Sequence, residues 1–167
     1  MTTNMVRTHG RAPRGRRAHG TAPAGRWRRL TVLGALGADG VAGAMTIERA
    51  TNTAVFLAFL DRVLIPALLR TKPDAVVVLD NPSPHRAPAV RQRLEAAGLE
   101  LILLPRYAPP TSTRSSRLWA KVKAALRAAA ARTVAALEAA LADALDRVTP
   151  ADARGFFRGC GYAAPVN

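Results

Sequence analysis

Asp80 closes the apolar run "AVVVL" and is followed at once by Asn81 and, five residues on, by His85. A carboxylate at the end of a buried strand is held rigidly and faces a crevice. It can bind Mg²⁺, which takes one or two carboxylates and completes its shell with water and phosphate oxygens. It serves equally well as the cap of the turn that follows. His85 reads either as a partner in that chemistry or as a polar residue at a helix start. Two other acids lie where a metal site could recruit them. Glu48 ends a β-rich run and could approach a sheet edge, whereas Asp61 falls within a helix and reads as a solvated surface charge.

Basic residues form the second set. Lys plus Arg number 25 against 11 acids, a net charge of +14 in 167 residues. Such a charge points to a polyanion, with nucleic acid the first choice, although a solvated basic surface has the same composition. Residues 1–29 hold eight Arg and no acid. Arg7, Arg11, Arg14, Arg16 and Arg17 could follow a phosphate backbone, with Lys121 and Lys123 on a later helix joining them. The same arm, rich in Gly and Pro, is also compatible with a solvated segment.

Cys160 is the single cysteine, so an internal disulfide and a cysteine-based zinc site are excluded and a reduced cytoplasmic setting fits. Runs such as "AVFLAFL" are too short to span a bilayer, and the Arg-rich start lacks the apolar core of a signal peptide. No membrane association is expected.

These residues need elements to position them. Runs 28–36 and 40–47 flank Asp39-Gly40, a hairpin signal. A helix follows, with Val55, Phe56, Phe59, Leu60, Val63 and Leu64 on one face, Thr51 or Thr53 as its cap, and Pro66 expected to kink or end it. Residues 75–80 read as a fully buried strand, 83–98 as a helix ending at Gly98, and "LELILLP" as another buried strand. A long Ala-rich helical region is predicted from about 117 to 148, then a short helix capped by Thr149 with Pro150 at its first position. The order hairpin, helix, strand, helix, strand, helices predicts an α/β fold with a mixed sheet between helices. Strand 75–80 should be central, between strand 100–104 and the hairpin.

Four stretches in this order, "THGRAPRG", "VVLDNPSPH", "LPRYAP" with "LWAKVKAALR", and "FFRGCGY", resemble the DDE transposases of bacterial insertion sequences (the insertion-sequence 630 family of the mariner superfamily). The resemblance covers nearly the whole chain. It implies a ribonuclease H-like core spanning 30–162, with 1–29 as a basic remnant of the first strands and 163–167 as a tail. It also implies DNA as partner, Mg²⁺ as cofactor, and DNA cleavage and strand transfer during transposition, integration and recombination. In such chemistry two metals clamp the attacking and leaving oxygens. Asp80 matches the second acid of the family's triad, with Asn81 and His85 completing its "D-N-x-x-x-H" pattern.

The first acid of that family lies in a "D-E" pair before "G-R-A-P-R-G", and "MTTNMVRTHGRAPRG" holds no acid. The third is the Glu of "Y-x-P-D-L-N-P-I-E-x-L-W", where this chain reads "YAPPTSTRSSRLW". The codons CCC GAC CTC AAC CCG ATC GAG C, read one base later, give Pro-Thr-Ser-Thr-Arg-Ser-Ser, which is residues 110–116. Ser116 then stands where the Glu is lost. One acid in register cannot position two metal ions, so no strand transfer is expected. An incomplete sheet further predicts self-association.

Overall fold

The computed structural model describes residues 1–105 and 114–161. Strands β1 (Thr31–Gly37) and β2 (Gly40–Ile47) form the hairpin, paired antiparallel from Thr31↔Ile47 to Gly37↔Gly40, with a bulge between Ala35 and Leu36. Gly40 sits at φ +127, a conformation that costs a side-chain-bearing residue more than glycine.

Helices α1 (Thr53–Phe59) and α2 (Ile65–Thr71) run on from each other through a π-helical turn, Leu60–Leu64. Asn52 caps the start, its Oδ1 accepting from the Val55 amide at 2.9 Å, where the sequence suggested Thr51 or Thr53. Pro66 does not end the helix. A proline lacks its N–H and crowds the preceding turn, and the wider π-turn immediately before it provides the room. Phe56, Phe59, Leu60 and Leu64 are buried along this rod.

Strand β3 (Val76–Leu79) leads through a 3₁₀ turn (Ser83–Arg86) to α3 (Pro88–Ala96) and back to β4 (Glu100–Leu103). The two strands pair in parallel, Val76↔Glu100 to Leu79↔Leu103. Gly98, at φ +74, ends α3 as expected.

The long helical region divides into α4 (Arg114–Ala129) and α5 (Val134–Asp146). Ala130 takes a left-handed φ of 49, and the Thr133 hydroxyl restarts the helix by accepting from the Ala136 amide at 3.1 Å. An all-alanine context hid that break, because nothing in it resembles a stop signal. Helix α6 (Pro150–Arg158) opens with the expected capping box between Thr149 and Asp152.

Among the described residues the sheet is two pairs, β1–β2 and β3–β4. The expected flanking of strand 75–80 by the hairpin is therefore corrected: β3 hydrogen-bonds to β4 alone. Side-chain packing holds the hairpin in place instead. Leu33 and Ala35 pack on the cluster of Phe56, Phe59, Leu60, Leu64, Val90 and Leu94, while Val32 and Leu36 pack on the cluster of Leu118, Val122, Leu126, Leu137 and Leu141. Alternate residues of β1 thus enter two cores, one on each face. Each fully buried leucine of these clusters, such as Leu60 or Leu118, contributes about 1.5–3 kcal/mol, and the partly buried Leu33 and Leu36 contribute less.

Candidate functional site

Asp80 follows the last residue of β3, at the carboxyl end of the parallel pair, where open α/β sheets place their ligands. Its side chain is 57% exposed. His85, on the 3₁₀ turn, brings Nδ1 to 2.7 Å from the Asp80 Oδ1 and is itself only 17% exposed. The imidazole is fixed from behind by the Phe56 ring, with centroids 4.0 Å apart. The approach is a close polar contact more than a well-aligned hydrogen bond, since His85 Nδ1 satisfies no hydrogen-bond geometry. The His85 contact draws the Asp80 carboxyl below its ordinary range, against the partial burial that pushes it up.

Asn81 crosses to the neighbouring strand. Its Nδ2 donates to the Leu104 carbonyl at 3.1 Å, and the Leu104 amide donates to the Leu79 carbonyl at 2.9 Å. The Asn81 Oδ1 is buried without a protein donor among the described residues. Asn81 therefore ties together the ends of the two strands that carry the acid, a structural service the pattern alone did not separate from catalysis.

Ser116 lies on the first turns of α4 and is exposed. Its neighbour Ser115, four residues before Trp119 on the same helical face, lines the cavity that Asp80 and His85 also line. The stretch "YAPPTST" (107–113) lies outside the described residues.

The other acids are engaged elsewhere. Glu48 pairs with Arg28, and Asp61 accepts from Arg93 Nη1 at 2.8 Å. Among the described residues no group of three or more His, Cys, Asp or Glu gathers as a metal cluster. A pair of Mg²⁺ ions needs several carboxylate oxygens, and Asp80 offers one carboxylate already facing an imidazole. The described donor set does not fit a two-metal centre.

The basic candidates separate into two kinds. Arg7, Arg11, Arg14, Arg16 and Arg17 are all exposed on the excursion 7–29, which is anchored at both ends. Thr2 bridges to Arg29, the Thr3 hydroxyl accepts from the Arg28 amide at 3.0 Å, and Arg132 donates to the carbonyls of Thr3 and Met5. Lys121, by contrast, pairs with Asp152 and so braces α4 against α6. Lys123 is exposed near the Met1 amine, whose pKa is lowered first by burial and then by Lys123 and Arg29. Among the described residues no helix is long and apolar enough to cross a membrane.

The family described as DDE superfamily endonuclease matches residues 1–138. The fold is similar to the catalytic domain of Mos1 transposase with Raltegravir and Mg, at TM-score 0.67 and 21% identity over 79% of this chain and 68% of that one. The catalytic domain of Mos1 mariner transposase gives 0.66 and 21% over 80% and 68%. The Mos1 transposase paired-end complex with left transposon end gives 0.71 and 23% over 95% of this chain, which spans 48% of that protein. No curated protein matches the sequence. The fold is therefore α/β, as the element order predicted, and ribonuclease H-like, as the resemblance implied.

Proposed function

The chain belongs to the DDE superfamily endonucleases, and from that premise we propose that it is a transposase-derived DNA-binding domain of the bacterial insertion-sequence 630 type that does not cleave DNA by itself. The carrying observation is the lone Asp80 at the carboxyl end of β3, facing His85 at 2.7 Å where a metal-binding site would need a second carboxylate. The relatives of similar fold include complexes with transposon ends and a catalytic domain with Mg. Mg²⁺ in this family supplies a Lewis acid for phosphodiester attack. The residues described here hold DNA by charge: five exposed arginines on the 7–29 excursion, within a net charge of +14, can replace phosphate counterions without reading bases. Ser116 is the position of the lost Glu in this reading.

A rival reading, a basic nucleic-acid-binding protein with no catalytic ancestry, required an unrelated fold, and the family match removes it. The test is one experiment with two readouts on the same duplex DNA. Binding that weakens steeply with salt and ignores sequence, together with no Mg²⁺-dependent nicking, supports the proposal. Nicking that Asp80→Ala abolishes overturns it.

A further inference from the structure

We propose that the groove between the outer edge of β2 and helix α5 docks an extended basic segment of a partner protein, added to β2 as a further strand. Helix and strand run alongside each other in opposite directions. At one end the Thr46 hydroxyl donates to Glu138 Oε1 at 3.0 Å. At the other, a Cβ built on Gly40 stands 3.4 Å from the Val148 carbonyl oxygen. The groove between these contacts measures about 580 Å³ and is apolar at Val41, Met45, Leu141, Leu145 and Val148. Ala44, Met45 and Thr46 line it in succession, as a strand does where it offers its edge and not a face. Strand β2 pairs with β1 alone, and among the described residues no backbone hydrogen bond outside that ladder involves residues 40–47. The outer N–H and C=O groups of β2 are therefore open to another strand.

Charge selects the occupant. No Lys or Arg lines this groove, although bases outnumber acids 25 to 11 in the chain. Asp39, Glu138 and Asp146 do line it. Asp39 is neutralised by Lys72, and the nearby Arg147 is taken by Asp143. Glu138 and Asp146 enter no ion pair among the described residues. Two uncompensated carboxylates repel a phosphate backbone and attract a cationic peptide. They lie about 12 Å apart along α5, at 1.5 Å per residue. An extended chain covers that distance in about four residues, and residues four apart share a face. The matching segment therefore carries two bases with one apolar residue midway, which meets Leu141 and Leu145. Two copies paired edge to edge bring both sets of acids to one seam. The 7–29 excursion supplies bases but holds no Val, Ile or Leu, and Pro13 and Pro23 each remove a ladder donor. The inference does not rest on DNA binding.

The probe is the labelled synthetic peptide acetyl-Thr-Arg-Thr-Val-Thr-Arg-Thr-amide, added to the full chain. Saturable binding is expected, with slowed amide exchange on β2 and unchanged exchange on β3. Glu138→Gln combined with Asp146→Asn should weaken binding about tenfold, as should Gln in place of both peptide arginines. Both positions are exposed, and the Gln keeps an acceptor for Thr46, so the variant retains the fold. Two further peptides, N-methylated at the odd or at the even positions, keep the charges, and only one of them blocks the N–H groups that face β2. That one should bind at least about tenfold more weakly than the other. Absent binding, indifference to the acid pair, equal binding of the two methylated peptides, or no slowed exchange on β2 overturns the proposal. Self-association that already protects β2 without peptide also overturns it, because a second copy is then the occupant.

Discussion

His85 Nδ1 stands 2.7 Å from Asp80 Oδ1, and the imidazole is stacked against Phe56, so the acid at the end of β3 has a fixed partner drawn from the turn that follows it. His85→Ala removes the interaction that lowers the Asp80 pKa and leaves the burial that raises it. The Asp80 carboxyl should therefore titrate at higher pH in the variant, as read by carboxyl carbon NMR. Because the folded-state pKa is depressed, this interaction stabilises the fold above the ordinary carboxylate pKa, and the stabilisation disappears as pH falls through the lowered one. The acid limb of the stability profile should flatten in His85→Ala, by little, since Asp80 is more than half exposed. An unshifted titration means the pair is not formed in solution.

A second expectation concerns how the hairpin docks. A Cβ built on Gly43 meets Val63 Cγ1 at 2.7 Å, on the π-helical turn that already adjusts to Pro66. Gly43→Ala should cost about 1–3 kcal/mol by overpacking. Gly155→Ala, where a Cβ meets nothing within 4 Å, should be neutral or stabilising because it sits in helix α6. Urea unfolding of both variants checks the pair, and an equal response would show that the hairpin is not seated on that turn.

DNA affinity should respond to the 7–29 excursion more than to α4. Replacing Arg7, Arg11, Arg14, Arg16 and Arg17 with Gln should flatten the log–log salt slope by up to about 4.5, roughly 0.9 for each phosphate that is no longer neutralised. Lys121→Gln should chiefly lower stability, because Lys121 is paired with Asp152. Anisotropy titrations at several salt concentrations read the slope, and no change when all five arginines are replaced makes the excursion a solvated loop.

The two adjacent serines of α4 should behave differently. Ser115→Glu directs a carboxylate toward the cavity that Asp80 lines, whereas Ser116→Glu places it at an exposed position. Weak Mn²⁺ binding that disappears with Asp80→Ala is expected for Ser115→Glu and is expected to be lower for Ser116→Glu. Neither change should produce strand transfer, since the described residues supply no third acid. Paramagnetic titration distinguishes them, and stronger binding by Ser116→Glu would restore the position that the family pattern indicates.

The sequence by itself determined the elements and their order. Two short runs of apolar residues, "VVVL" and "LIL", read as strands, although the full burial expected of them is corrected by Val76 and Ile102, which stay 46% and 45% exposed; Asp39-Gly40, Gly98, Thr149 and Pro150 punctuate the chain by rules that act within a few residues. It placed Asp80 at a strand end for the same local reason, and the ordered motifs carried the family. Tertiary structure decided what no short-range rule reaches. Asn81 joins two strand ends 23 residues apart, Lys121 is committed to Asp152 across two helices, and Glu48 and Asp61 are held by Arg28 and Arg93. Whether β3 meets the hairpin was likewise invisible, because strand adjacency depends on which backbone edge finds a partner. Hydrophobic pattern records only that a strand is covered, and both faces of β1 are covered by helices whether or not its edge is paired.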